Sequence, residues 1–235
     1  MVLDESLETF KVYFVSYPDL LILCRFKEST MELSFRETIE KFRDYLYAMN
    51  SKAVITFEEI SKKTGIPKES FIQHFSSEEE LVEKALEFER LRFEEIFKIH
   101  DFEGVNAIDI LLTVSKEVAK KFIDVSPSVT FILRKDFPEI YQRHFELRRD
   151  FIYNKIQINL TKGINQGMYR DDLSIELVAR LYLSRLIDLH NPDFFPPEEF
   201  SFDTLFNVMF ESLIRSIAKP EGLDYYEKKR KAIKF

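Results

Sequence analysis

Thr56-Phe-Glu-Glu-Ile-Ser-Lys-Lys-Thr-Gly-Ile-Pro-Lys-Glu-Ser-Phe-Ile-Gln-His-Phe-Ser-Ser-Glu-Glu-Glu-Leu81 is the stretch on which the fold turns. Thr56 with Glu59 three residues on fits a capping box, the hydroxyl accepting from the Glu59 amide and the carboxylate reaching back to the Thr56 amide. A helix therefore starts there. It buries Phe57 and Ile60, and Gly65 stops it, because glycine enters the left-handed backbone region without steric cost. Pro67 presets φ for a first helical turn, so another short helix follows at once, with Phe71 and Phe75 on its inner face. Upstream, Phe35, Ile39, Phe42 and Leu46 recur at spacings of four, three and four, which lays one apolar stripe along a preceding helix.

Two short helices joined by a glycine turn form a helix-turn-helix, whose second helix can enter a major groove. Its outward face offers Lys68, Glu69, Ser70, Gln73 and His74. Gln pairs bidentately with adenine, Ser meets several bases, and Lys and His meet phosphate or guanine. On spacing alone, a structural helical hairpin fits equally well. The acidic run Glu78, Glu79 and Glu80 sits oddly beside a phosphate-seeking face. It falls in the first turn of the next helix, where carboxylates are favoured by the dipole and can cap free amides.

Composition bounds what these helices can be part of. The chain has 235 residues, 45% hydrophobic, with 24 Phe, 10 Tyr, five Gly and eight Pro, a balance that favours long helices around a sizeable core. A single cysteine, Cys24, excludes an internal disulfide framework and a cysteine-rich zinc site. The net charge is −7, and residues 31–86 hold eight Lys/Arg against eleven Asp/Glu, a net of −3. Nucleic acid is therefore attracted by a local patch or not at all. The apolar run from Val12 to Cys24 is interrupted by Pro18-Asp19 and is short of the roughly 20 residues a membrane span needs. Asp4, Glu5 and Glu8 argue against a secretory signal, and Leu23 against a lipid-anchored cysteine. The expected location is cytoplasmic, with no membrane contact.

Beyond Glu80, Leu81, Ala85, Phe88, Arg92 and Glu95 follow one another at three- and four-residue steps and continue a helix through Ile99, a connector between modules. Further helices are expected at about 107–124, 137–167, 174–190 and 202–218, with breaks at Ser126-Pro127, Gly167 to Asp172, Asn191-Pro192 and Pro196-Pro197. The fold class is all-α. Residues 1–30 crowd aromatics and aliphatics without helical spacing. They form either a packed N-terminal arm or upstream sequence read in frame before a start at Met31. The basic run Lys228-Lys-Arg-Lys231 reads as a solvated C-terminal tail. No metal-ligand pair, phosphate-binding glycine loop or nucleophile elbow stands in the sequence, and the histidines 74, 100, 144 and 190 are far apart. No enzyme activity, cofactor or metal is expected.

At Thr56 to Leu81 the chain resembles the TetR family of bacterial transcriptional regulators. Gly163-Ile-Asn-Gln-Gly-Met-Tyr-Arg-Asp-Asp172, with Ile175 to Leu186 after it and Gly222 in the closing segment, is similar to the late part of that family's sensor domain. The resemblance covers roughly residues 34–225. It implies a helix-turn-helix DNA-binding domain over 31–86, joined by the connector helix to a ligand-binding and dimerisation domain over 87–235. Thr56 would touch a phosphate, and Lys68, Glu69, Ser70, Gln73 and His74 would face the groove of double-stranded operator DNA. Ile72 stands where the family usually has a tyrosine, Glu78 where it commonly has lysine, and Ser51 where glycine commonly ends the first helix.

The resemblance further implies a homodimer and a cavity for a small apolar or amphipathic ligand. Phe131, Arg134, Tyr141, Phe145 and Tyr182 are the expected lining. Val178, Leu181, Arg185 and Leu189 with Leu205 and Met209 repeat helically and suit the implied four-helix dimer interface. A ligand-responsive regulator of transcription, acting chiefly by repression, is the implied function. The alternative is a ligand-binding or protein-interaction module of the same architecture that has lost useful DNA affinity.

Overall fold

The computed structural model describes residues 35–49, 53–122, 127–189, 191, 193–196 and 199–232. These residues form ten α-helices and one isolated antiparallel bridge, Tyr169 to Ala218, so the described fold is all-α. The expectations for residues 1–30, the Met1 or Met31 start, Cys24 and Ser51 fall outside the described residues. Contacts divide the chain into two compact units. One holds residues 35–45 and 55–81; the other holds 46–49, 53–54 and 82–232.

The first unit contains most of α1 (residues 35–47), then α2 (Phe57–Thr64), α3 (Lys68–His74) and the start of α4 (Glu78–Ile99). Thr56 is extended, with φ −132° and ψ 149°, and its hydroxyl accepts the Glu59 amide at 3.2 Å. That is the accepting half of the predicted box. A more distant partner serves the Phe57 amide: Glu78 Oε1 accepts it at 3.1 Å. At the other end of α2, Gly65 takes φ 73°, where a residue with a Cβ is strained, and its N–H donates to Ser61 O at 2.9 Å. Ile39, Phe42, Ile60, Phe71 and Phe75 fill the interior, all at 2% exposure or less. The Phe57 and Phe71 rings stack at 6.0 Å and the Phe35 and Phe75 rings meet at 5.4 Å. Removing one such ring typically costs about 3–5 kcal/mol, so these few aromatics dominate the unit's stability.

The second unit contains the rest of α4, then α5 (Ala107–Phe122), α6 (Pro127–Asp136), α7 (Pro138–Asn165), α8 (Ile175–Asp188), α9 (Phe202–Ile217) and α10 (Pro220–Ala232). Here α7 packs on α5, α6 and α8, and α9 packs on α5 and α8. Two of these helices were not expected. Pro127 begins α6 instead of merely breaking the chain, and Val129, Ile132 and Leu133 form its buried stripe, with Phe137 buried just beyond its end. Pro220 likewise begins α10, so the basic run is no loose tail. Lys229 pairs with Asp109 of α5 at 3.2 Å, and Arg230 with Glu211 of α9 at 2.7 Å. Proline tolerates the first helical turn because its missing N–H has no partner there anyway.

The segment after α7 is a polar clip. The Tyr169 side chain is fully buried, and its hydroxyl donates to Asn159 Oδ1 at 3.1 Å. Asn159 Nδ2 donates to Ala107 O at 2.9 Å, and the Ala107 amide donates to Gln166 Oε1 at 2.8 Å. The free amide at the start of α5 is thus capped from α7's end. Gly163 and Gly222 make room: a Cβ at Gly163 would lie 2.0 Å from the Tyr169 ring, and one at Gly222 would lie 2.2 Å from Met168 O. The residues of this segment thus serve packing and capping.

Candidate DNA-reading face and ligand cavity

In the first unit, burying Phe71 and Phe75 turns the opposite side of α3 outward. Lys68, Glu69, Ile72 and Gln73 are exposed and Ser70 is half-buried. His74 is also half-buried, its ring edge-on to Phe35 at 6.0 Å, so it stands at the margin of this face, against the unit's own aromatics. Thr56 is exposed and already accepts an α2 amide, which leaves its O–H to donate. Lys62 and Lys63 are exposed at the end of α2. Ile72, 55% exposed, puts an apolar side chain in the middle of the face.

The acidic run has a local explanation. Glu78 caps α2, while Glu80 Oε2 accepts the Ser76 amide at 2.7 Å and the Ser76 hydroxyl at 2.6 Å. Glu79's own backbone N–H and the Ser77 hydroxyl hold its carboxyl below the usual carboxylate range. All three carboxylates are engaged by donors at helix starts, where negative charge is stabilised by the dipole. The run is thereby explained by capping, while each carboxylate keeps its negative charge.

In the second unit, α4, α5, α7, α8 and α9 surround a cavity of about 90 Å³. Its wall is mainly apolar, with Phe93 and Phe97 from α4, Val114 from α5, Ile152 from α7 and Phe206 from α9. Phe93, Phe97 and the adjacent Phe151 meet edge-to-face, with centroids 5.4 to 6.1 Å apart. Polar groups in the wall are Ser115, Arg148, Lys155 and Tyr182. Burial pushes the Tyr182 phenol well above its ordinary range, so it stays protonated at neutral pH.

Of the expected lining, only Tyr182 is in this wall. Phe131 is 60% exposed and Arg134 is exposed on α6, while Tyr141 and Phe145 stack on each other at 6.0 Å. The actual wall was signalled by i, i+4 spacings: Phe93 with Phe97, Ile152 with Ile156, and Phe202 with Phe206 and Phe210. On α8 and α9 the expected interface divides. Leu181 is 60% exposed and Arg185 is exposed; Val178 and Leu205 are half-buried against the core; Leu189 and Met209 are buried within it at 8% and 6%. Leu189 and Met209 are corrected to core positions, because the helices' buried stripes run through them. The outward apolar residues are Leu177, Leu181 and Val208, each at least 60% exposed, and Ile187 at 41%.

No helix among the described residues is long and apolar enough to cross a membrane. No family model matches the chain, and no curated protein matches its sequence. Solved structures do match. A TetR transcription regulator from Haloarcula marismortui is 13% identical, covering 80% of this chain and 100% of its own at a TM-score of 0.63. A TetR-family transcriptional regulator from Agrobacterium tumefaciens is 14% identical, covering 80% and 99% at 0.60. The ketosteroid transcriptional regulator KstR2 of Mycobacterium tuberculosis is 18% identical, covering 79% and 95% at 0.52. A small helical unit carrying a helix-turn-helix, followed by a larger helical unit around an apolar cavity, is the fold of the TetR-family transcriptional regulators, and this chain has that fold.

Proposed function

We propose that the chain is a non-enzymatic, TetR-like regulator of transcription that binds double-stranded operator DNA as a homodimer and responds to a small ligand. The observation that carries this reading is the outward face of α3. Lys68 and Gln73 are exposed above a buried Phe71 and Phe75, behind a Gly65 turn, with Thr56, Lys62 and Lys63 exposed on the same unit. A rigid aromatic interior fixes which side chains point outward, and those are chemistries that read bases and phosphates. Capping by Glu78 and Glu80 accounts for the acidic run beside this face without reference to DNA, and attraction to phosphate rests on Lys62, Lys63 and Lys68.

Dimerisation is assigned to the outward sides of α8 and α9, with Leu177, Leu181 and Val208 at its centre and Arg185 beside them. Exposed aliphatic side chains on two helices that pack together suit an isologous contact with a second copy. Two recognition helices would then meet two half-sites one helical turn apart or a multiple of it. Ligand in the cavity biases the helix arrangement, and with it the DNA-competent population; repression is the mode proposed.

The test is titration of the protein against a labelled duplex from its own upstream region at about 50 and 200 mM salt, with random duplex as competitor. Saturable binding that outcompetes random duplex and weakens with salt is expected. Gln73→Ala should change base preference by roughly 1–3 kcal/mol at one position of each half-site. Equal, feeble binding to both duplexes, repeated in a genome-wide duplex selection, would leave a ligand-binding module without DNA affinity.

A further inference from the structure

The cavity's charged groups have one sign. Arg148 and Lys155 are in its wall, and no Asp or Glu is. Lys155 extends from α7 with its ammonium 5.0 Å from the Phe97 ring centre and 5.2 Å from that of Phe151, held by two π faces and by no carboxylate among the described residues. A ring quadrupole stabilises a cation but leaves its charge uncompensated. Also in the wall, on α5, is Ser115, 3% exposed, for whose hydroxyl no hydrogen-bond partner is found among the described residues. A buried hydroxyl is ordinarily paired, so one left open toward a cavity marks where an outside acceptor would sit.

From this arrangement we infer that the cavity takes an organic monocarboxylate with a short apolar tail, its carboxylate at Lys155 and Ser115 and its tail among Phe93, Phe97 and Phe206. The inference rests on the cavity being the ligand site. The volume of about 90 Å³ is smaller than the roughly 150 Å³ of a protein cavity that accepts benzene, which limits the tail to a few carbons unless the phenyl walls move. A neutral ligand of the same shape would gain nothing from the lysine's charge, and a cation would be repelled by it.

The experiment is calorimetric titration of the full chain with butanoate and hexanoate beside the alcohols and alkylammonium ions of equal length. Saturable binding of the carboxylates is expected, about tenfold or more tighter than the matching alcohols, as a charge-assisted hydrogen bond implies. Lys155→Met, which keeps the stem's packing, should erase that preference, and Lys155→Arg should keep it. Alcohol or ammonium binding as tight as carboxylate would overturn the anion assignment and leave the cavity a ligand site. A preference that survives Lys155→Met would overturn the role of this lysine. Saturation by none of the probes would overturn the inference together with the ligand-site reading beneath it.

Discussion

The two units are both built from helices around buried aromatics, yet they are held at different sequence distances. In the first, the decisive contacts are close: Thr56 caps Glu59 three residues on, and Glu78 caps Phe57 across 21 positions. In the second, the clip joins Ala107 to Gln166 and Asn159 across 59 and 52 positions, and Lys162 donates to Phe102 O across 60. The first unit is a local grammar of caps, a glycine and a proline. The second depends on pieces of chain that meet only once the helices have packed.

The sharpest way to break this contrast is Gly163→Ala. Replacing a mid-helix glycine by alanine ordinarily stabilises a helix by roughly 0.5–1 kcal/mol. Here the new Cβ would lie 2.0 Å from the buried Tyr169 ring, so a loss of about 3 kcal/mol or more is expected, read as a lower urea midpoint for the second unit. An unchanged midpoint would show that the clip does not hold α7's end. Next in size is Tyr169→Phe, which leaves Asn159 Oδ1 without its buried donor and should cost about 2 kcal/mol in the same measurement. Loss of α5 amide protection in hydrogen exchange should accompany it.

For the first unit the corresponding change is Glu78→Ala. It removes the acceptor of the Phe57 amide and should cost about 1 kcal/mol, visible as faster exchange in α2 while α5 and α7 are unaffected. Simultaneous loosening of α5 and α7 would show that the two units share one network. The smallest effect expected is one of pH. His144, on α7, has both ring nitrogens buried without a hydrogen-bond partner among the described residues. Burial lowers its pKa below the ordinary 6.5, against the opposing pull of Glu83. Its unfolded form therefore takes up a proton first as pH falls below about 6.5, and stability drops through that window toward the lower folded value. His144→Leu should flatten the urea midpoint of the second unit between pH 7 and 5, and an unchanged slope would assign the pH dependence to other groups.

How much was legible follows from the same contrast. Thr56, Gly65, Pro67 and the phenylalanine stripe located α2 and α3 within a residue or two, because each signal acts on its immediate neighbours. The same proline rule stood unread at Pro127 and Pro220, where it begins α6 and α10. The basic run was misjudged for a different reason. Lys229 and Arg230 find Asp109 and Glu211 on other helices, which nothing adjacent to them announces. The cavity wall was missed because apolar and aromatic residues on five helices all look alike as core until packing selects which of them border a void.

The amino-acid order by itself determined the all-helical architecture, the helix-turn-helix and the capping use of the acidic run, since helix starts, stops and buried stripes depend on residues within a turn or two of one another. Tertiary structure alone decided that Leu189 and Met209 belong to the core while Leu177 and Val208 face out, and that Lys155 sits unpaired by any described carboxylate at an apolar cavity. The physical reason is that exposure, pairing and empty space are properties of surfaces brought together from distant positions, and helical spacing specifies a helix's face without specifying what will cover it.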